Sequence, residues 1–118
     1  MKVTISDLSG VTKASLSGRM DTANVDKQEA FVTASIIPKG QNTIIDLTDV
    51  TFVASMGVRM LLTLARTLAR RGAKLVLYGA APAISEVIET TALSQIIPVA
   101  QSEEDALAAI YTSLSQRL

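Results

Sequence analysis

The chain has 118 residues, 11 basic and 11 acidic side chains, no Cys and no His, and 48% hydrophobic residues. Without thiol or imidazole there is no zinc site of the usual kind, no disulfide framework and no Ser-His-Asp arrangement, which leaves carboxylates, lysines and hydroxyls as the reactive groups. A net charge of zero gives no general grip on nucleic acid, and no apolar run reaches the ~18 residues of a membrane-spanning helix, so a single domain without membrane insertion is expected over 1–118.

Val3, Ile5 and Leu8, then Val11, Ala14, Leu16 and Gly18, form two extended stretches around Ser9-Gly10, the signature of a β-hairpin. Asp21 or Thr22 starts a helix that runs to about Ile36, with Val25, Val32 and Ile36 on its inner side, and Pro38-Lys39-Gly40 stops it. Thr43–Leu47 reads as a short strand buried on both faces, followed by a polar turn containing Asp46 and Asp49.

Ser55–Arg71 is the strongest helical pattern. Val58, Leu61, Leu62, Ala65, Leu68 and Ala69 recur at spacings of three and four, and Gly72 ends the run. On this wheel Met56, Met60, Thr63 and Thr67 lie outward beside Arg59, Arg66 and Arg70. Exposed Met next to Arg suits a partner interface. Lys74–Tyr78 is the next strand, Pro82 opens a helix through Leu93 with Ile84, Val87 and Ile88 inward, and Ile96–Val99 is a last short strand. Ser102, Glu103, Glu104 and Asp105 open a final helix whose inner side carries Leu107, Ile110 and Leu114.

The order is ββαβαβαβα, an α/β fold with a mixed sheet, an N-terminal hairpin and helices packed against it. Asp46 at a strand end invites comparison with a phosphorylated receiver domain, but the first connection is a hairpin and no Lys follows Lys74. Asp21, Asp46 and Asp49 as an oxygen-ligand site for Mg²⁺ is the weaker reading of three carboxylates among 11. No metal site, no cofactor and no enzyme activity are expected.

Chemistry concentrates where strand gives way to helix. Ser55 stands at the helix start, where backbone N–H groups lack partners and the dipole is positive, and Gly57 permits close approach to the backbone. Taken alone, Ser55 is first a helix cap. The D-L-T-D-V-T-F segment, the Ser-x-Gly helix start, G-A-x-L-x-L-x-G and the E-E-D-A-L-A-A-I helix together resemble the STAS domain of bacterial anti-sigma factor antagonists over nearly the whole chain.

The resemblance implies a cytoplasmic, non-enzymatic transcription regulator that works by partner switching. Its unphosphorylated form would bind an anti-sigma factor that is also a serine kinase, releasing a sigma factor, and phosphorylation of Ser55 would end that contact. It places Asp21, Ala54, Ser55, Met56 and Gly57 at the partner surface, to which the helix wheel adds Arg59, Met60 and Thr63. Many phosphorylated members carry Asp immediately before the Ser, where this chain has Ala54. The alternative is a constitutive STAS interaction subunit, for example of a lipid-transport ABC system, with Ser55 only a cap. A neutral, Met-exposing surface leaves room for weak self-association into a homodimer.

Overall fold

The computed structural model describes residues 1–115, with side chains described up to Tyr111. Leu114, expected on the inner side of the last helix, lies outside the described side chains. The elements are β1 (Lys2–Leu8), β2 (Val11–Met20), α1 (Thr22–Ile36), β3 (Thr43–Val53), α2 (Ser55–Arg70), β4 (Leu75–Tyr78), α3 (Pro82–Thr90), β5 (Val99–Ala100) and α4 (Glu103–Ser115), with 3-10 turns at Ile37–Lys39 and Leu93–Gln95. The five strands form one sheet in the order β1-β2-β3-β4-β5. β1 runs antiparallel to β2, and every later neighbour pairs parallel.

The hairpin turns as expected. Ser9 and Gly10 both take positive φ, 52° and 93°, which is the backbone of a type I′ turn and matches the twist of the two strands. Each parallel crossover then carries its helix to the same face of the sheet, so α1, α2 and α3 share one core with Ala14 and Leu16 of β2, Ile45 and Leu47 of β3, and Leu75 and Leu77 of β4. α4 packs on the opposite face, where Ala106 and Ile110 meet Val11, Ile44, Val76 and Tyr78. Alternation along β3 feeds both: Ile44 points to one core and Ile45 to the other.

Among the described residues one ion pair ties α4 to β2 on that second face, Lys13 Nζ to Glu103 Oε1 at 2.8 Å. It holds the Lys13 ammonium above its ordinary pKa, chiefly through the Glu103 hydrogen bond. Tyr78 Oη is buried beside this pair without a partner in full hydrogen-bond geometry among the described residues, and burial, then the Asp46 charge, raises its pKa. Lys13 approaches that hydroxyl and partly offsets the rise.

Four sequence expectations need correction. β3 does not stop at Leu47 but continues to Val53, so the stretch expected as a polar turn is a strand that pairs with β2 as far as Met20↔Val53. The β-branched residues Val50, Thr51 and Val53 favour the extended chain and Val50 is buried, while the Asp46 carboxylate accepts from Thr48 N–H and Oγ1–H at 2.9 and 2.6 Å where the register with β2 shifts between Ser15↔Asp46 and Ser17↔Asp49. The helix opened by Pro82 ends at Thr90, and Leu93 sits in a separate 3-10 turn. The last strand is Val99–Ala100, not Ile96–Val99.

The fourth correction concerns the face of α2. Its buried residues are Gly57, Met60, Leu61, Leu64 and Leu68. Of the expected stripe, Leu61 and Leu68 are buried and Val58, Leu62 and Ala65 pack partly against the core, but the centre of the inner face lies toward Gly57, Met60 and Leu64. Met60 is 1% exposed and Ala69 is on the surface, so Met60 belongs to the core and is not available to a partner.

Candidate functional site at the α2 N-terminus

The two rim segments that carry the predicted site residues are locked together by backbone. Ala54 N–H donates to Met20 C=O at 2.9 Å, which sets the β3–α2 junction against the end of β2. Gly57 lies so close that a Cβ there would stand 3.1 Å from Met20 O and 3.1 Å from Val53 Cγ1. Asp21, Ala54, Ser55, Met56 and Gly57 therefore share one rim at the carboxyl ends of β2 and β3. Arg59 and Thr63 continue it along the exposed side of α2, and Met56 is half-buried against the main core.

The two helix starts at this rim are built differently. Asp21 is the N-cap of α1, and its Oδ1 accepts from Asn24 N–H at 2.9 Å. That hydrogen bond, helped by the Arg19 guanidinium, holds the Asp21 carboxyl below its ordinary pKa. At α2 the N-cap is Ala54, whose extended backbone (φ −90°, ψ 171°) is right for a cap but whose methyl accepts nothing, and no side-chain hydrogen bond caps the helix. Ser55 is the first helical residue and is exposed. The sequence-based reading of Ser55 as a cap is thus corrected by one position: the hydroxyl stands at an uncapped, positively polarised helix end rather than closing it.

Two further residues stand at this rim that sequence reasoning passed over. The Arg19 guanidinium carbon lies 4.2 Å from the centroid of the Phe52 ring. Arg19 Nε donates to Asp21 Oδ2 at 3.4 Å, and Asn24 Nδ2 donates to Arg19 C=O at 3.0 Å. Phe52 is 38% exposed, one residue before Val53 turns inward. The signal was available in the β2–β3 register, where Arg19 pairs with Phe52, but it depends on both strands running to their full length. Asp46 and Asp49 stay on β3 away from Asp21, with Asp46 bound to Thr48, and no group of three or more acidic residues is placed to hold a metal among the described residues.

A five-stranded mixed sheet with an N-terminal hairpin, three helices on one face and one on the other is the architecture of a STAS domain. The STAS family model matches residues 2–106, and the chain belongs to that family. It is 33% identical over 114 residues to BtrV of Bordetella bronchiseptica, a protein that carries the name anti-sigma factor antagonist, with 97% of this chain and 98% of that one covered.

The crystal structure of an anti-sigma factor antagonist from Mycobacterium paratuberculosis superposes with a TM-score of 0.81 at 27% identity, over 93% of each chain. The phosphorylated form of the Bacillus cell fate determinant SpoIIAA superposes with a TM-score of 0.68 at 20% identity, over 92% of this chain and 99% of that one, a likeness of fold. No described helix is long and apolar enough to cross a membrane.

Proposed function

We propose that this protein is an anti-sigma factor antagonist whose unphosphorylated form binds an anti-sigma factor with serine-kinase activity, and that phosphorylation of Ser55 by that kinase ends the complex. The observation that carries the reading is the exposed Ser55 hydroxyl at an uncapped helix start, on a rim that backbone contacts hold together. In the transfer, the Ser55 Oγ–phosphorus bond forms as the bond from the γ-phosphorus of ATP to its bridging oxygen breaks. ADP leaves and the hydroxyl gives up its proton.

The product carries a charge of about −1.5 to −2 at this rim. Against one partner carboxylate at ~4 Å and an effective dielectric near 20, each unit of that charge costs ~4 kcal/mol, and 1.4 kcal/mol is a factor of ten in affinity. The same phosphate is stabilised by the start of α2, by roughly 0.3–1 kcal/mol. Repulsion of the partner, with the fold intact, is therefore the mode of release. Support for the switch over the constitutive module comes from Ala54: it holds the N-cap position, so a capping role does not account for Ser55.

The test compares Ser55→Ala and Ser55→Asp for binding to the kinase. Ser55→Ala is expected to bind and to take no phosphate, and Ser55→Asp to bind at least about tenfold more weakly with an unchanged circular-dichroism spectrum. Full affinity in the Asp variant, or loss of its fold, overturns the reading.

A further inference from the structure

α1 is apolar on both of its sides. Val25, Val32 and Ile36 face the main core, yet the residues opposite them, Ala23, Ala30 and Ala34, are exposed and end in a methyl group each. At about 100° per residue these three and Lys27 fall within about 40° of the outward direction, and Asp26 and Phe31 flank that line about 70° to either side. The spacing 23, 27, 30, 34 is that of a coiled-coil seam, and the Phe31 ring beside it is 52% exposed.

On the Asp26 flank a groove of about 840 Å³ runs past Ala30 and Ala34 to Ile37, Pro38 and Arg71. Its ends carry opposite charge. Asp26 and Glu29 stand near the start of α1, and at the finish Arg71 is fixed by donating from one terminal nitrogen to Ile37 C=O at 2.6 Å. None of these three charges has an ion-pair partner among the described residues. An apolar stripe that is acidic at one end and basic at the other is complementary to itself turned end for end.

We propose that this face joins two copies of the chain, with α1 packed antiparallel on α1 of the second copy around a two-fold axis. With the axis at the level of Val32, Ala30 lies opposite Ala34 of the second copy, and the methyl groups let the helix axes approach to about 8 Å. Lys27 then lies opposite Ile37, which its stem covers while the ammonium stays in water. The axis maps each flank onto the same flank of the other copy. Phe31 therefore meets Phe31 on one side, and on the other Asp26 meets Arg71 twice. A parallel pair would set Asp26 on Asp26 and Arg71 on Arg71, so charge selects the antiparallel arrangement. Two 15-residue helices bury less than the ~1,200 Å² of a standard interface, so a dissociation constant on the order of 100 µM is expected. The contact does not depend on the reading of Ser55 as a phosphoacceptor.

Sedimentation equilibrium of the full chain from about 10 µM to about 1 mM is expected to show monomer and dimer in exchange. Ala30→Arg keeps a good helix former on an exposed position but fills the seam with a long charged chain. It is expected to weaken the dimer at least about tenfold with an unchanged circular-dichroism spectrum. Asp26→Arg and Arg71→Glu each bring like charges together across the axis, so each alone is expected to weaken the dimer to a similar extent. An equimolar mixture of the two is expected to dimerise about as well as the wild type, because both contacts between positions 26 and 71 in the mixed pair join opposite charges. Arg71→Glu also gives up the hydrogen bond to Ile37, so its fold is checked by the same spectrum, and Ala30→Arg decides the matter if that fold is lost.

A wild-type chain that stays monomeric to about 1 mM overturns the proposal, as does a dimer that Ala30→Arg leaves intact. A mixture of folded Asp26→Arg and Arg71→Glu that associates no better than its parts overturns the antiparallel pairing. If the chain is monomeric and Ala30→Arg instead weakens binding of the serine-kinase anti-sigma factor, the face belongs to that protein and not to a second copy.

Discussion

Ala54 and Ser55 divide between them what one residue does at most helix starts. An N-cap position with extended backbone and no acceptor costs α2 the stabilisation that Asp21 supplies to α1. Ala54→Asp restores an acceptor where the backbone already has the capping geometry, and it is expected to stabilise the domain by about 1 kcal/mol. For a chain of this length that raises Tm by roughly 3–6 °C, read by thermal denaturation at neutral pH. A lower Tm would show that the site needs the methyl for packing. The gain belongs to the unmodified protein, because a carboxylate at position 54 stands beside the phosphate that Ser55 would carry. In the sequence Ser55 was legible as a residue at a helix start, but not as the first helical residue rather than the cap, since that distinction is set by one pair of dihedral angles at Ala54.

At the scale of the element, α2 shows how periodicity can be right in kind and wrong in phase. Its length and both ends were legible, because Gly72 and the apolar spacing mark them. The face was not, because two of its inward residues give weak signals: Gly57 has no side chain to count, and Met60 reads equally well as a soft core filler or as an exposed contact. The close approach to β2 at Met20 fits this phase, since a Cβ at position 57 would stand 3.1 Å from Met20 O, tighter than an ordinary contact. Met60→Ala is therefore expected to cost about 2–5 kcal/mol, as buried Met truncations do, and to move the urea midpoint strongly. Thr63→Ala, on the exposed side one turn away, should leave that midpoint within about 0.5 kcal/mol. If Met60→Ala were as mild as Thr63→Ala, Met60 would belong to the surface. β3 was shortened in reading for a related reason: Asp46 and Asp49 look like turn residues, yet the strand continues through register shifts against β2 that leave pairs of neighbouring positions, 48–49 and 51–52, exposed.

Across the whole molecule, the sheet separates stability from recognition. Order of elements, hairpin and strand number followed from the sequence, but the placement of α4 on the far face did not, because its apolar residues say only that one side is covered. That helix closes a second, smaller core through Ala106 and Ile110, on the face opposite α1, α2 and α3. Ile110→Ala opens a cavity in this core and is expected to cost about 2–5 kcal/mol, while the folded protein keeps its affinity for the anti-sigma factor. Gly57→Ala should behave in the opposite way. Its added methyl gains about 1 kcal/mol of helix propensity and meets Met20 O and Val53 Cγ1 at 3.1 Å, so the two effects largely cancel in stability. Relief of the contact with the Met20 carbonyl shifts the first turn of α2, and with it Ser55 and Met56, by a few tenths of an ångström from the β2 rim. Affinity for the anti-sigma factor, measured by calorimetry below the melting range of both variants, should fall at least about tenfold in Gly57→Ala and stay at the wild-type value in Ile110→Ala. Equal losses in the two would mean that the faces of the sheet are coupled, and that the rim is not held by its own backbone contacts alone.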